Sequence, residues 1–412
     1  MSSVSITNRE LLNKNILTSD FATNNGLLNP EQGNAFISLV FALSGMDKMV
    51  KTHRFTSKQK EISKLDINTR IVFPKTEGIP TGKRAQATPT TVTLDPFRFM
   101  AVVGCSYEMK EQSIARGNFT QFILEQAAKQ VGNNLETFNL HANTLGPSQP
   151  ESLLVKGGSA TKRLKDPLLA QRDGWLRDAD VSNIYDANDE HDVGLVIANA
   201  LNVLPEQYQQ DMRRLKVFGA NEIARNYAFQ LSERATVLGD RKKEANINAV
   251  QTSFGLELMA MPLFTSRPIT VEHVTLTGTT PVNLAYKNLV AAEVFVNLAT
   301  LDSDTAETPF VDTTDYIITN PVGLPATIER AGGSTIPSGT IVKVTYKAPP
   351  ELLLTEPDNL LIGINTETIR IEEDQDKDAQ MWYYYLSGAA DVQILNTDAM
   401  VKIINLKSQL QL

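Results

Sequence analysis

The sequence has almost no thiol chemistry, with one cysteine, Cys105, among its 412 residues. A single thiol excludes an intramolecular disulfide framework and is typical of a reducing compartment. Cys105 ends the apolar run at residues 99–105, and free cysteines in apolar surroundings are usually buried. We therefore expect Cys105 to be a buried structural thiol and not a nucleophile.

Long apolar runs and an excess of positive charge are also absent. The longest apolar run, residues 36–43, is much shorter than the roughly 20 residues that span a bilayer, and no basic-then-apolar signal opens the chain. With 39 Lys and Arg against 47 Asp and Glu, the formal net charge is −8, so there is no basic footprint for nucleic acid or membrane. We expect a soluble protein that is made inside the cell and has no membrane partner.

Three kinds of functional motif are incomplete in this chain. Residues 81–84 lack the upstream glycine spacing and the Ser or Thr of a phosphate-binding loop. Residues 186–192 resemble a calcium loop, but His191 takes its glycine position and Ile197 the position of its closing glutamate. The four histidines are far apart, and none forms a zinc-type pair. We predict no catalytic residue, no cofactor, no metal site and no enzymatic activity.

An acidic run at residues 372–378 contains five carboxylates. Two of them could act as a general acid and base, but no histidine, nucleophile or metal pattern accompanies them. We therefore predict a charged loop or an assembly contact.

The aromatic run that follows, residues 382–385, could stack on nucleic-acid bases. Because successive strand residues face opposite ways and the local charge is negative, we favour a role in the core and an interface.

The stretch from residue 99 to residue 145 changes period from strand to helix. Its apolar positions recur in steps of three and four, which is typical of one stripe of an amphipathic helix. They are Phe119, Phe122, Ile123, Ala127, Val131, Leu135 and Phe138. Asn118 is a suitable N-cap, and Gly146-Pro147 ends the pattern. About 24 residues would form a rod of roughly 36 Å.

Residues 51–98 indicate a long β excursion, with an outgoing strand at 65–74 and a returning strand at 90–95. Between them, residues 78–89 are polar and rich in proline, glycine and basic side chains. An isolated two-stranded hairpin is at best marginally stable in water. This hairpin must therefore rest on another surface, either of the same molecule or of a neighbour.

The rest of the chain divides by composition. Residues 150–262 alternate helices and strands, with a helical stripe from Val193 that ends at Pro205 and a second helix capped by Asn221. Residues 266–350, here called the β module, contain short strands rich in Thr and Val, which predicts a small antiparallel sandwich. Its proline-containing edges suggest an inserted domain. Further strands are predicted at 359–364, 368–371, 381–385 and 389–395, with a last apolar segment at 399–406.

This order of parts resembles the major capsid proteins of tailed double-stranded DNA bacteriophages, the Hong-Kong-ninety-seven-type shell fold. In that family an N-terminal arm precedes an extended β loop (E-loop), a peripheral (P) domain with a long spine helix, an α/β axial (A) domain and a last pass of strands. The matching stretches are 66–74 with 90–94, then 102–145, 221–262 and 359–399. The β module is absent from the minimal fold and is similar to small immunoglobulin-like or decoration-like domains.

The resemblance implies an α+β fold with five parts. They are an N-terminal arm at 1–50; the E-loop at 51–98; the P domain at 99–150 and 366–412, with the spine helix at about 118–142; the A domain at 151–265 and 351–365; and an inserted all-β immunoglobulin-like sandwich at 266–350.

The resemblance to phage capsid proteins also implies a structural function. The chain would self-assemble as pentamers and hexamers into an icosahedral phage head, in the bacterial host cytoplasm, and reside in the virion. Scaffold, portal and decoration proteins are implied partners, and packaged double-stranded DNA would be enclosed without sequence-specific binding. The predicted assembly contacts pair Lys83 and Arg84, at the hairpin tip, with the acidic run of a neighbouring subunit, and they also include Arg70. The acidic residues of these contacts are Glu372, Glu373, Asp374 and Asp376.

Two alternatives remain open from the sequence. One is an encapsulin-type nanocompartment, a shell of the same fold without a virus. The other is a glycan-binding or adhesive protein that acts through the β module. Glycan binding would require exposed aromatic side chains, and the strand pattern suggests that most of the available ones are buried. These are Tyr286, Phe295, Phe310, Tyr316 and Tyr346.

Overall fold

A computed structural model describes residues 46, 49–66, 88–112, 119–146, 166–178, 180–233, 249–251, 255–265, 267–290, 293–298, 310–321 and 323–407. The strands are β1 Lys51–Phe55, β2 Lys60–Asp66, β3 Thr88–Leu94, β4 Phe97–Ser106, β5 Ile184–Asp186, β6 Lys216–Ala220, β7 Ala249–Gln251, β8 Glu257–Met261, β9 Ile269–Leu276, β10 Val282–Asn283, β11 Phe295–Leu298, β12 Tyr316–Thr319, β13 Thr327–Arg330, β14 Thr340–Lys347, β15 Leu352–Thr355, β16 Leu360–Asp376, β17 Met381–Ile394 and β18 Met400–Ile404. The α-helices are α1 Tyr107–Gln112, α2 Phe119–His141, α3 Val193–Val203 and α4 Asn221–Glu233.

The long helix α2 packs against a four-stranded sheet with the strand order β1-β16-β17-β4. Its observed bounds agree with the predicted 118–142, although the proposed cap Asn118 lies outside the described residues. Phe122, predicted to lie in the buried stripe, is 54% exposed because it is on the other side of the helix from buried Leu124. The buried stripe consists of Ile123, Leu124, Ala127, Ala128, Val131, Leu135 and Phe138.

The C-terminal end of α2 is covered by the segment 166–178. The last carbonyls of a helix have no partner within the helix, so they need donors from elsewhere. Here the backbone N–H of Trp175 donates to the carbonyl of Asn139 at 2.8 Å, and that of Gly174 to Ala142 at 2.8 Å. A Cβ on Gly174 would lie 2.8 Å from the carbonyl oxygen of Asn139, so this approach requires glycine.

Strands β2 and β3 form an antiparallel two-stranded ribbon, which confirms the returning strand of the predicted hairpin. The described part of the outgoing strand is residues 60–66, so it starts earlier than predicted. Residues 67–87, which include most of the predicted outgoing strand and its polar tip, lie outside the described residues. At the root of the ribbon Leu94 is fully buried.

A six-stranded sheet with the order β5-β18-β15-β6-β8-β7 forms a second unit, on which helices α3 and α4 pack. The predicted α3 is confirmed. Its N-cap is Asp192, whose Oδ1 accepts hydrogen bonds from the N–H groups of Gly194 and Leu195. Asn221, predicted as the cap of α4, is its first helical residue.

The β module contains two three-stranded sheets, β11-β14-β9 and β10-β13-β12, around a core to which Ile404 of β18 also contributes. Its first and last strands pair along their length, from Leu276 opposite Thr340 to Ile269 opposite Lys347. The two ends of the module therefore leave it side by side, as an inserted unit requires.

Of the two interpretations of residues 372–378, the charged loop is wrong, and the assembly contact stays a prediction. Residues 372–376 continue β16 and pair with residues 385–381 of β17, so only 377–380 form the turn. The strands predicted at 359–364 and 368–371 are likewise one strand, and those predicted at 381–385 and 389–395 are another. The backbone pairing is satisfied by β17, while Glu372, Asp374 and Asp376 are exposed to solvent, so no apolar alternation marks this part of the strand.

The predicted division between the A and P segments at 365/366 falls inside β16. The last predicted P segment, 366–412, is shared between two sheets, because β18 pairs with β15 in the six-stranded sheet. None of the described helices has the length and apolar character needed to cross a membrane.

Candidate assembly surface

The hairpin of β16 and β17 has two faces with different chemistry. Directly opposed residues of antiparallel strands share a face, and so do alternate residues of one strand. On one face Ile371, Tyr384 and Leu386 are buried in the core that includes α2. The other face is here called the outer face. It includes Glu372, Asp374 and Asp376 on β16, Tyr383 and Tyr385 on β17, and Met100 and Val102 on β4, and the same alternation places Arg370 and Arg98 at its other end.

Apolar and aromatic side chains border the acidic row of the outer face. Met100 is 67% exposed and Val102 is 47% exposed. Tyr383 lies across Gly104 of β4, where a Cβ would come within 3.0 Å of the ring, and its centroid is 6.4 Å from that of Tyr385. Exposed apolar surface that is rimmed by polar groups is characteristic of an interaction surface.

The structure describes four of the seven predicted contact residues. Glu372, Asp374 and Asp376 are exposed together on the outer face. Glu373 is half-buried and points to the opposite side, so it does not join them. The three predicted basic contacts, Arg70, Lys83 and Arg84, lie outside the described residues.

The other predicted features have clear places in the fold. Cys105 is buried, as expected. In the described part of the chain no three His, Cys, Asp or Glu side chains are grouped to hold a metal ion. The tyrosines considered for glycan binding are buried and the two phenylalanines are half-buried, so these five offer no open aromatic platform: Tyr286, Phe295, Phe310, Tyr316 and Tyr346.

A buried cluster of charges, which the sequence reasoning missed, joins the β module to the rest of the molecule. Arg177 Nη1 lies 2.9 Å from Glu351 Oε1, and Lys402 Nζ lies 3.5 Å from the same oxygen. Tyr286 of the β module donates its hydroxyl proton to Glu351 and accepts a hydrogen bond from Arg177 at 3.0 Å. Arg177, Glu351 and Lys402 are here called the buried cluster.

The electrostatics of the buried cluster favour the ionised carboxylate. Burial alone would raise the pKa of Glu351, but the charges of Arg177 and Lys402 outweigh it and hold that pKa at about 2. Burial lowers the pKa of Lys402 to about 8, against the opposing effect of Glu351. Burial and the charge of Arg177 lower the pKa of His141, at the end of α2, to about 4. The cluster therefore holds two cations around one anion near neutral pH.

A second set of contacts fixes the same junction. Lys287 of the β module lies 2.8 Å from Asp186 Oδ2 on β5 and donates to Asn188 at 2.8 Å. Its backbone N–H donates to Asn405 Oδ1 at 2.9 Å, just after β18.

The sequence did contain a signal for the buried cluster. Glu351 and Lys402 are single charges beside or within otherwise apolar strands, where an ionised group needs a partner.

A third charged group lies at the root of the β2–β3 ribbon. The backbone N–H of Asp95 donates to Asp391 Oδ2 at 2.7 Å, and Arg172 Nη2 lies 2.8 Å from Asp95 Oδ2. Burial raises the pKa of Asp391 to about 6, because the nearest cation, Arg172, is 3.7 Å from Oδ1 and does not compensate fully. Asp391 thus connects the ribbon to β17, although burying its carboxylate removes favourable hydration.

No protein-family model matches the chain. A Bacillus subtilis (strain 168) protein named "Putative prophage capsid protein YqbE" is 22% identical over 253 residues, which are 61% of this chain and 74% of that protein. A chain of the "Satellite phage P4 procapsid including size determination (Sid) protein" has a TM-score of 0.53 and 11% identity, covering 94% of this chain and 95% of its own. A chain of Gordonia phage Cozz has a TM-score of 0.46 and 9% identity, covering 88% and 86%.

The P4 procapsid chain establishes the fold, since the two structures correspond over almost their full lengths. The protein has a phage-capsid-like fold of mixed α and β content that is mostly β. Together with the sequence relationship to a prophage capsid protein, this confirms the resemblance to the phage capsid proteins that the order of elements indicated.

Proposed function

We propose that this protein is the structural capsid protein of a tailed phage or prophage, and that copies of it assemble into a closed shell. The observation that carries the proposal is the correspondence with a procapsid chain over 94% of the molecule. A shell protein needs no catalytic or cofactor site, and its function consists of contacts between copies. The nanocompartment and glycan-binding alternatives are not favoured by any contact described above.

The sheets suggest a more exact division into subdomains than the sequence did. We assign β4, β16, β17 and α2 to the P domain, and the six-stranded sheet with α3 and α4 to the A domain. The ribbon β2–β3, with residues 67–87, corresponds to the E-loop, and residues 1–50 to the N-terminal arm. In this assignment β15 and β18 belong to the A domain. The β module is the inserted immunoglobulin-like sandwich.

The outer face supports a contact between subunits. Its carboxylates are exposed and its tyrosines and methionine offer apolar surface beside them. The basic E-loop residues Arg70, Lys83 and Arg84 have the opposite charge. Each exposed ion pair contributes only about 0–1 kcal/mol, so such pairs would align subunits more than hold them together. A closed shell sums many such contacts.

The remaining assignments follow from the capsid role. The partners are other copies of this chain in pentamers and hexamers, with scaffold, portal and decoration proteins. Double-stranded DNA is enclosed without sequence-specific contacts, in keeping with a net charge of −8. Assembly takes place in the bacterial host cytoplasm, and the mature protein resides in the virion. We assign no enzymatic activity.

The experiment is to produce the protein alone, fractionate it by size, and image the largest fraction by electron microscopy. We expect closed hollow particles. A matched variant replaces residues 67–87 with a short glycine-serine turn, which should leave a folded subunit that forms no shell. A wild-type protein that remains a folded monomer at high concentration, with or without co-produced scaffold, would contradict the proposal.

A further inference from the structure

A cleft of about 580 Å³ opens beside the four-stranded sheet, near the root of the β16–β17 hairpin. It lies where β16 is irregular, between Asn365 and Arg370, and is bordered by the turn after β1 and by the start of β4. Among its lining residues are Lys58, Arg98 and Arg370, which define what is here called the basic cleft.

The walls of the basic cleft are held by hydrogen bonds. Asn365 Nδ2 donates to the carbonyl of Ser57 at 2.9 Å, which ties β16 to the turn after β1. Asn365 Oδ1 accepts from the N–H of Glu367 at 3.0 Å, and Thr368 donates to the carbonyl of Asn365 at 2.9 Å. The irregular stretch of β16 is therefore a shaped wall, and the cleft is formed before any partner binds.

The charge of the basic cleft is unbalanced. Lys58, Arg98 and Arg370 are exposed and face one carboxylate in the lining, Glu367. Within the described ranges, no carboxylate forms an ion pair with Arg98 or Arg370, while Lys58 acts on Asp95 at longer range. The lining also includes the apolar side chain of Met100. A concave site with several cations and some apolar wall is suited to an acidic peptide segment.

The far end of the same hairpin has the opposite charge. Residues 372–378, here called the acidic tip, contain five carboxylates and one lysine, and no described basic side chain forms an ion pair with Glu372, Asp374 or Asp376. Asp376 is six positions beyond Arg370 on extended strand, a distance of about 20 Å. Because both ends belong to one continuous strand, the acidic tip cannot enter the basic cleft of its own molecule.

We propose that the basic cleft receives the acidic tip of a second copy of this chain. The two surfaces are different, so the contact is head to tail, the type of contact that generates a ring when its rotation closes. A cleft of this volume accommodates several tip side chains but not the whole hairpin. The inference rests on the proposed function, since only an assembly of copies supplies the second tip. It is an alternative to the E-loop contact, because both contacts use the carboxylates of residues 372–376.

The test is a charge swap scored by particle formation. The cleft variant is Arg98→Glu with Arg370→Glu, and the tip variant is Asp374→Lys with Asp376→Lys. We expect each pair of substitutions to reduce the particle yield at least tenfold and their combination in one chain to restore most of it. A control variant, Glu206→Lys with Asp211→Lys, makes the same charge change at exposed positions on the six-stranded unit. We expect it to assemble as the wild type does.

Disulfide trapping gives an independent readout. Subunits with Asp376→Cys are mixed with subunits with Arg98→Cys, assembled, and oxidised; the native Cys105 is buried and does not compete. We expect a cross-linked dimer from the mixture and none from either variant alone. Particles in which the mixture does not cross-link, or in which the swapped chain fails to recover while its subunit is folded by circular dichroism, would overturn the contact. Wild-type protein that forms no particles would instead contradict the proposed function.

Discussion

The buried cluster and the acidic tip use the same kinds of side chain for opposite purposes. In the buried cluster, Arg177 and Glu351 are 3% and 1% exposed, and their partners come from segments that are distant in sequence. At the acidic tip, Glu372, Asp374 and Asp376 are exposed and have no described ionic partner. The comparison separates charge that positions parts within one subunit from charge that remains available to another subunit.

The free energies of buried and exposed ion pairs explain why substitutions in the two regions should have effects of different size. Removing one partner of a buried ion pair leaves an uncompensated charge, which typically costs about 3–5 kcal/mol. An exposed pair contributes only about 0–1 kcal/mol and is weakened by salt. Changes in the buried cluster should therefore act on folding, and changes at the tip should act on association.

The largest effect is expected from Glu351→Gln, which leaves the buried cations Arg177 and Lys402 without their carboxylate. We expect the free energy of unfolding of the isolated subunit to fall by about 3–5 kcal/mol. Urea unfolding followed by circular dichroism measures it. Glu206→Gln, at an exposed position, is the control and should change stability by less than about 0.5 kcal/mol. If Glu351→Gln lowered the free energy of unfolding by less than about 1 kcal/mol, the buried cluster would not differ from the acidic tip in its importance for subunit stability.

An intermediate effect on subunit stability is expected from Asp391, whose buried carboxylate is only partly stabilised by Arg172. Its folded pKa is raised from 3.8 to about 6, so its favourable contribution is full below pH 3.8 and is lost as the pH rises through about 6. The shift corresponds to roughly 3 kcal/mol between these limits. Other carboxyls have lowered pKa values and act in the opposite direction, so the contribution must be measured as a difference from a variant.

The variant is Asp391→Asn, which cannot titrate but retains an acceptor for the Asp95 N–H. We expect wild-type stability, relative to Asp391→Asn, to increase as the pH falls from 7 to 4. Urea unfolding at intervals across this range measures the difference. A difference that is constant with pH would show that Asp391 does not act as a titrating group at the root of the ribbon.

The smallest effect on the subunit is expected at the acidic tip. Glu372→Gln, Asp374→Asn and Asp376→Asn together should change the free energy of unfolding by less than about 0.5 kcal/mol, because the three side chains are exposed. Particle yield at low salt should nevertheless decrease, and the difference from wild type should shrink in high salt. Light scattering during assembly measures the particle yield at low and at high salt. A large loss of subunit stability would mean that the tip is part of the fold and not reserved for association.

Local patterns predicted the elements that bury an apolar stripe. The period of three and four found α2 and α3, and the short Thr- and Val-rich runs found β12, β13 and β14, because burying one face selects a regular spacing of apolar residues. The same reasoning placed residues 372–376 in a loop. Strand pairing there is maintained by β17, whose alternate residues Tyr384 and Leu386 are buried, and the charged partner strand needs no apolar pattern of its own.

The sequence by itself indicated helices α2 and α3, the Thr- and Val-rich strands of residues 266–350 and the resemblance to phage capsid proteins, since these depend on local periodicity, turn chemistry and the order of the parts. Only the tertiary structure decided which charges are paired. Arg177, Glu351 and Lys402 are separated by long stretches of chain and meet because three segments pack at one junction. The tertiary structure also formed the basic cleft from β4, β16, β17 and the turn after β1, because burial and electrostatic interaction depend on distance in space and not on distance along the chain.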